Sequence, residues 1–196
     1  RLKSTTVRTL LVDEVDEFAN NLTGGDDPLE MLNGRTSAFP ATFKRLYIST
    51  PQIKGLSRIE QLYAKSDQRR YHVPCPHCEH MHPLTWAGFH WASGPDGKVT
   101  RAWCVCPECG SEIDEHHKDK MGDRGQWVPE FPHRKVRGYR ASFLNYRFSL
   151  GPRWIDMAQA WVDAQGDNTR MKTFMNDRRA EAWEDAAMRN VRHNAI

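Results

Sequence analysis

The 196-residue sequence has no run of 18 apolar residues, and no hydrophobic segment of the signal-peptide type near its N-terminus. We therefore predict neither a membrane-spanning helix nor secretion. Internal repeats and low-complexity tracts are also missing. Apolar residues make up 39% of the chain and charged residues 27%, which is ordinary for a globular protein. Length and composition together predict one medium domain, or one domain with a small insertion.

A phosphate-binding loop of the form G-x-x-x-x-G-K-[ST] is also absent. The only Gly-Lys pair, Gly97-Lys98, is followed by Val99. Such a loop cradles nucleotide phosphates with its backbone N–H groups. We therefore expect the phosphate-binding half of any nucleotide site to lie upstream of Arg1, or not to exist.

Acidic residues are missing from residues 133–153, although the net charge of the chain is only +3. The stretch carries six basic residues: Arg134, Lys135, Arg137, Arg140, Arg147 and Arg153. Basic side chains without neighbouring acids can contact nucleic-acid phosphates. The alternative is a solvated edge, and the sequence leaves both interpretations open.

Residues 7–18, VRTLLVDEVDEF, contain a short apolar run that ends at Asp13 and Glu14. The run predicts a strand buried on both faces, as in a parallel sheet covered by helices. At the carboxyl end of such a strand, Asp13 can hold the magnesium of a nucleoside triphosphate, and Glu14 can polarise the attacking water. These are the functions of a Walker B segment. The alternative is a solvated acidic turn.

A second apolar run, Lys44–Thr50, predicts a second strand of the same sheet. Asp27 is the predicted cap of an intervening helix that runs from Pro28 toward Ala38. Two parallel strands joined by a helix place Ser49 and Thr50 at the same sheet edge as the acidic turn. Hydroxyl groups there can respond to the γ-phosphate; alternatively, they only end the strand.

Further elements are predicted downstream. Ser57 caps a helix whose apolar residues Ile59, Leu62 and Tyr63 form a core face. Residues 136–148 predict a strand that rejoins the main sheet. Two helices follow, one from Pro152 to a stop at Gly166 and one from about Asn168 to Arg179, and the tail after Glu184 is a predicted linker.

Five cysteines lie within 35 residues, an odd number that argues against a disulfide framework. Cys75 and Cys78 form one C-P-x-C turn, and Cys106 and Cys109 form another. Four thiolates at this spacing favour a structural zinc ion, because a closed four-sulfur shell leaves no position for catalysis. Cys104 leaves an alternative pairing with Cys106 open.

The surroundings of the cysteines also carry predictions. We expect four nearby histidines to be exposed rather than ligands: His77, His80, His82 and His90. Four aromatic residues should form a small core beside the metal: Trp86, Phe89, Trp91 and Trp103. Residues 113–121 predict one short helix.

Several stretches resemble the lambda-like large terminase subunit of tailed bacteriophages. They are LLVDEVDEF, RLYISTPQIKGLSRIEQLYAKSDQRRYHVPCPHC, CPECGSEID, KVRGYRASFLNY and MKTFMNDRRAEAWED. In that family an N-terminal ATPase domain is followed by a nuclease domain of ribonuclease-H type. The resemblance implies an α/β fold: a partial parallel-sheet, P-loop NTPase-like ATPase domain (1–70), an inserted zinc-ribbon-like subdomain (71–132), and a returning strand with C-terminal helices (133–196). The nuclease domain is expected to be absent.

The resemblance also implies function. Asp13 and Glu14 match the magnesium ligand and catalytic glutamate, Ser49 and Thr50 match the motif that couples hydrolysis to movement, and the four cysteines of the two turns match the family's zinc ligands. The implied activity is ATP-driven packaging of double-stranded DNA into procapsids in the host cytoplasm. The implied cofactors are a structural zinc ion and Mg²⁺ bound with ATP. The implied protein partners are the small terminase subunit, the portal and further copies of the chain. Arg134, Lys135, Arg137 and Arg140 are candidate DNA contacts.

Two other functions fit the residues. Asp13-Glu-Val-Asp16 is also a D-E-x-D box, as in helicase-like translocases, and a zinc-ribbon DNA-binding module without enzymatic activity is the second alternative. The family's Gly-Glu-Pro-Trp-like segment is replaced here by Ala180-Glu-Ala-Trp183. Without a phosphate loop, the 196 residues alone are expected not to hydrolyse ATP.

Overall fold

The computed structural model describes residues 5–22, 24–148 and 150–184, so the predicted linker after Glu184 lies outside the described residues. The strands are β1 (Thr9–Val12), β2 (Lys44–Tyr47), β3 (Arg69–Pro74), β4 (Met81–Pro83), β5 (Phe89–Ser93), β6 (Val99–Val105), β7 (Glu112–Asp114), β8 (Gln126–Val128) and β9 (Tyr139–Arg140). The helices are α1 (Pro28–Gly34), α2 (Arg58–Lys65), α3 (Lys118–Asp123), α4 (Trp154–Ala164) and α5 (Asn168–Thr173). A π-helical turn, Phe174–Arg178, follows α5. The predicted mixed α/β class is confirmed.

The strands β1 and β2 pair in parallel around α1, as the sequence predicts. The side chain of Asp27 accepts a hydrogen bond from the Leu29 N–H at 2.8 Å and caps α1. The helix ends at Gly34, earlier than the predicted Ala38. The Thr36 hydroxyl donates to the Asn33 carbonyl at 2.9 Å, a local bond that competes with continuation of the helix.

Strand β1 is buried on one face only, so the prediction of burial on both faces is wrong. Leu10 and Val12 are buried with Val15 and Leu29, whereas Leu11 is 70% exposed. Successive side chains of a strand point to opposite faces. Within the described residues, this sheet has two strands and its second face remains open to solvent.

Helix α2 begins as predicted, with the Ser57 hydroxyl accepting a hydrogen bond from the Glu60 N–H at 3.1 Å. Its apolar residues Ile59, Leu62 and Tyr63 are half-buried, and Ile59 packs against the core of β1, so the predicted core face is confirmed only in part. They line an open groove of about 940 Å³ between the first sheet and residues 136–141.

The rest of the chain is organised on two further sheets. In one, β3 pairs antiparallel with β4 and β8 and parallel with β9; in the other, β6 lies between β5 and β7. The predicted strand 136–148 is reduced to Tyr139–Arg140 and joins β3 instead of the β1–β2 sheet. The chain then turns at Phe143–Asn145 and buries Leu144, which ends the strand.

The larger core lies between these two sheets and α4. Phe89 is buried there as predicted, with Trp86 and Trp91 packed against it. Trp103 is not part of this core, because its ring stacks with His90 and lies under the Arg101 guanidinium.

Residues 113–121 do not form one helix. Ile113 is fully buried in β7 opposite Cys104, and the helix starts only at Lys118, after a 3₁₀ turn. The two C-terminal helices are close to the predicted positions: α4 ends before Gly166, whose φ is +79°, and Phe174 is buried after α5.

Candidate functional site

The acidic turn follows β1 directly. Glu14 adopts the left-handed conformation with φ +52°, and the Asp13 carboxylate accepts a hydrogen bond from the Glu14 N–H at 3.0 Å. Val15, fully buried, begins a 3₁₀ turn that ends at Glu17. The buried Val15 anchors the turn, while the side chains of Asp13 and Glu14 are exposed to solvent at the carboxyl end of the strand.

The end of β2 lies beside this turn. The Val15 N–H donates to the Ile48 carbonyl at 3.2 Å, and the Ser49 hydroxyl lies 3.5 Å from a Glu14 carboxylate oxygen, to which it donates. The single proton of this hydroxyl can instead be donated to the Thr50 carbonyl, which is closer, at 3.1 Å. The two strand ends therefore meet, as predicted from parallel pairing, and join an exposed carboxylate to a hydroxyl.

Asp16 is a residue of this site that the sequence analysis did not single out for a role. Its carboxylate accepts hydrogen bonds from the Ile59 N–H at 2.8 Å and the Gln52 N–H at 3.0 Å, and its own N–H donates to the Ser49 hydroxyl at 3.2 Å. Asp16 thus joins the acidic turn, the end of β2 and the start of α2. The D-E-x-D spacing was the only sequence signal for it.

The four cysteines of the two C-P-x-C turns converge, which confirms their predicted grouping. The Cys75 and Cys109 sulfurs are 3.9 Å apart, those of Cys78 and Cys106 are 3.8 Å apart, and all four lie within 4.8 Å of one another. Both turns have the same backbone bonds: the Glu79 N–H donates to the Cys75 carbonyl, and the Gly110 N–H donates to the Cys106 carbonyl.

The cluster has the dimensions of a four-sulfur metal site. Sulfurs bound to one zinc ion at about 2.3 Å in a tetrahedron lie about 3.8 Å from one another. Interactions with the hydroxyl and backbone of Ser111 lower the pKa of the Cys109 thiol to about 6. For Cys78, the backbone of His80 lowers the pKa, but burial and the three other thiols raise it to about 12. Neighbouring thiolates repel one another, so a bound cation is needed to keep all four sulfurs deprotonated. The cluster can therefore bind a metal ion.

Cys104 does not join the cluster. It lies in β6 opposite Phe89, is 2% exposed, and burial raises the pKa of its thiol. Among the histidines, His77, His80 and His90 are exposed as expected, but His82 is buried. Its ring packs in β4 because the antiparallel pairing with Val73 turns it toward the interior.

The four predicted DNA contacts have different surroundings. Arg134 donates to the carbonyls of Ala64 and Ser66 at 2.7 and 2.8 Å, and so caps the C-terminal end of α2. Arg140 forms an ion pair with Glu181 at 3.5 Å. Lys135 and Arg137 are exposed. The structure therefore leaves two of the four side chains directed at solvent.

A buried carboxylate anchors this basic segment, and the sequence analysis missed it. Asp67 is 2% exposed; it accepts from the Gly138 N–H at 3.0 Å and from the Arg69 guanidinium at 2.8 Å. Burial alone would raise the pKa of Asp67, but these hydrogen bonds outweigh burial and hold the pKa below its usual value. Gly138 lies against Ser66 so closely that a Cβ would overlap the serine hydroxyl.

The chain returns to the acidic turn near its described C-terminal end. The Trp183 N–H donates to the Gln52 carbonyl, and the Lys54 N–H donates to the Trp183 carbonyl, both at 2.9 Å. Glu184 forms an ion pair with Lys54 at 3.1 Å. Residues 180–184 thus dock beside the segment that follows Ser49 and Thr50.

No helix in the described parts of the chain is long and apolar enough to cross a membrane. Residues 1–127 match the family model described as phage terminase large subunit gpA, ATPase domain. Residues 136–196 match the model described as terminase large subunit gpA, endonuclease domain. The second match differs from the expectation that the nuclease domain is absent. In the structure, the first part of this match packs on the same core as the cysteine turns, through Leu144, Trp154 and Met157.

Two curated relatives carry the name "Terminase, large subunit". The protein of Enterobacteria phage P21 is 25% identical, with 97% of this chain and 32% of the relative covered. The protein of Escherichia phage lambda is 24% identical, with 69% of this chain and 24% of the relative covered. This chain thus spans about a third of the length of the first relative, and no solved structure matches it. Since the ATPase model alone matches well over half of the sequence, the chain belongs to the phage terminase large subunit gpA family.

Proposed function

We propose that the full-length protein is an ATP-driven motor that packages double-stranded viral DNA into procapsids. The observation that carries the proposal is the meeting of two parallel strand ends, one with Asp13 and Glu14 and the other with Ser49. Membership of the terminase family supports this function over a helicase-like translocase or a DNA-binding module without activity. In this proposal the parallel sheet is part of a P-loop NTPase-like domain.

Each residue of the edge has a proposed role. Asp13 would hold the magnesium ion that accompanies ATP, and the ion would neutralise charge on the phosphates. Glu14 polarises the attacking water and accepts its proton. Ser49 has one hydroxyl proton, which can be donated either to the Glu14 carboxylate at 3.5 Å or to the Thr50 carbonyl at 3.1 Å, so a change at Glu14 switches the acceptor and is passed to Thr50. These two residues couple hydrolysis to movement.

The four-cysteine cluster has a structural role in the proposal. Zinc fits it because the sulfur separations match a tetrahedral site, and because thiolate ligands favour zinc over magnesium or calcium. A metal ion with four sulfur ligands has no open coordination position for a substrate, so catalysis is assigned to the acidic turn. The further partners that we propose are the small terminase subunit, the portal and other copies of the chain, in the cytoplasm of the host.

The role of Glu14 is tested in the full-length protein. Glu14→Gln keeps the size of the side chain but removes its charge, so ATP hydrolysis should fall about 10²–10⁴-fold while ATP still binds. Glu17→Gln is the matched control, because it makes the same change three residues later on an exposed side chain and should keep hydrolysis. Equal losses in both variants would contradict a catalytic role for Glu14.

The coupling residues require two activities to be measured together. Thr50→Ala and Ser49→Ala should retain much of the DNA-stimulated ATP hydrolysis and lose DNA translocation disproportionately. If both residues only end the strand, hydrolysis and translocation should decline together with the melting temperature. Measuring all three quantities on one preparation separates these outcomes.

Lys135 and Arg137 are the proposed DNA contacts with exposed side chains, and Arg134 and Arg140 act mainly by holding the segment in place. Replacing both exposed residues with alanine should weaken DNA binding and lower the slope of log K against log salt by about 2. Lys120→Ala on α3 removes an exposed charge elsewhere and serves as the control. An unchanged salt slope in the double variant would exclude these two contacts.

A further inference from the structure

Residues 180–184, which we call the C-terminal strap, lie parallel to residues 52–54. Two backbone hydrogen bonds of 2.9 Å join them, from the Trp183 N–H to the Gln52 carbonyl and from the Lys54 N–H to the Trp183 carbonyl. Backbone bonds of this kind resemble a single rung of a parallel sheet. The strap therefore has a defined register on its partner segment.

Ion pairs hold both ends of the strap. Near its start, the Glu181 carboxylate lies 2.7 Å from the Arg179 guanidinium and 3.5 Å from that of Arg140. At its end, Glu184 lies 3.1 Å from the Lys54 ammonium. All of these side chains are partly exposed, so each pair contributes little by itself, and the two backbone hydrogen bonds and the buried Ala182 also hold the strap in place.

The opposite side of Gln52 is bound to the acidic turn. Its N–H donates to the Asp16 carboxylate, and its side-chain amide donates to the Glu17 carboxylate at 3.0 Å. The Asp16 carboxylate also accepts a hydrogen bond from the Ile59 N–H, and the Asp16 N–H donates to the Ser49 hydroxyl. The backbone of Gln52 is therefore hydrogen-bonded on both sides: its N–H donates to the acidic turn, and its carbonyl accepts from the strap.

We propose that the C-terminal strap is a transmission element: it belongs to the part of the chain that matches the endonuclease model, and it links the rest of that part to the ATP-hydrolysing edge. Asp16 is the positioning residue of this link. A shift of Glu14 and Ser49 between nucleotide states moves Asp16, which cannot move without displacing or releasing Gln52. Release or rotation of Gln52 then changes the hydrogen bonds to Trp183. The inference rests on the proposed ATPase function.

The first test measures the link directly, by hydrogen exchange of the full-length protein. Exchange of the Lys54 and Trp183 amides should differ about fivefold or more between a non-hydrolysable ATP analogue and ADP. In Asp16→Asn, which loses one carboxylate acceptor, the difference should disappear while both nucleotides still bind. Identical exchange in the two nucleotide states of the wild type would overturn the proposal. Failure of the wild type to bind ATP would instead overturn the ATPase function itself.

The second test uses a reversal of charge on the strap. Lys54→Glu replaces the attraction to Glu184 with a repulsion between two carboxylates beside the two backbone hydrogen bonds, and should loosen the strap, so DNA translocated per ATP hydrolysed should fall severalfold with basal hydrolysis unchanged. Adding Glu184→Lys restores an ion pair of opposite polarity and should recover much of the loss. Lys120→Glu makes the same charge change on α3 and should have no effect. An unchanged coupling ratio in Lys54→Glu, or an equal loss with Lys120→Glu, would refute a transmitting role for the strap.

Discussion

Loss of one cysteine of the cluster should unfold much of the chain, whereas loss of Cys104 should not. Cys106 is 1% exposed and its sulfur lies 3.8 Å from that of Cys78, so Cys106→Ser removes one of four converging ligands. Cys104 lies two residues earlier in the chain, and its buried thiol has no part in the cluster. Cys104→Ala is therefore a close control in sequence and in burial.

The expected magnitudes differ by several-fold. Zinc binding stabilises folded zinc-finger peptides by roughly 10–16 kcal/mol, while a whole domain is stable by only about 5–15 kcal/mol. Cys75 and Cys106 pack in the same core as Val73, Leu84 and Met157, so loss of the ion should destabilise that core too. Cys104→Ala removes only one buried sulfur atom and should cost about 1 kcal/mol, similar to other small deletions in cores.

The assay combines metal analysis with thermal unfolding of the purified chain under reducing conditions. We expect about one zinc ion per chain in the wild type and in Cys104→Ala, and no stoichiometric zinc in Cys106→Ser, with loss of its cooperative transition. Zinc retained by Cys106→Ser but lost from Cys104→Ala would refute the ligand assignment. A wild type that unfolds identically with and without a chelator would refute the structural role of the metal.

Three further predictions concern stability. Gly138→Ala should destabilise the chain by about 1–3 kcal/mol, because the added Cβ overlaps the Ser66 hydroxyl. Gly34→Ala should stabilise it by about 0.5–1 kcal/mol, because α1 has open space at that position. Chemical denaturation measures the free energy of unfolding of both variants. The lowered pKa of Asp67 contributes stability above the unfolded-state pKa of about 3.9, which is lost as the pH falls through the folded-state pKa. The difference in melting temperature between wild type and Asp67→Asn should therefore become smaller below about pH 4. A difference that stays the same at all pH values would contradict a stabilising role for the ionised Asp67 carboxylate. Ser57→Ala should cost about 1 kcal/mol through loss of the α2 cap, measured by the same denaturation experiment.

Features that depend on nearby residues were predictable. The caps at Asp27 and Ser57 act over two or three residues, so the residue types alone indicate where the helices begin. The two C-P-x-C turns are equally local, and four thiolates have one common use in a chain with no disulfide framework. The meeting of Ser49 with Glu14 followed from a general rule, because parallel strands end at the same edge of a sheet.

Features that depend on contacts between distant residues were not predictable. The destination of residues 136–140 is β3 because buried Asp67 receives the Gly138 N–H, an interaction between residues 71 positions apart. The exposure of Leu11 depends on which elements cover the sheet, and the burial of His82 depends on strand register. A hydrophobic pattern records that a side chain can be buried, but it does not identify its neighbours.

By itself, the sequence determined the mixed α/β class, the starts of α1 and α2, the parallel strand pair with its acidic turn, and the four cysteines that group together. Only the tertiary structure decided that Asp16 binds both Gln52 and Ile59, and that Trp183 returns to dock beside Gln52. Helix caps and the two C-P-x-C turns depend on residues that are close together in the sequence, so the order of residue types is enough to predict them. Hydrogen bonds between backbone groups more than 100 residues apart carry no side-chain signature, so folding alone brings them together.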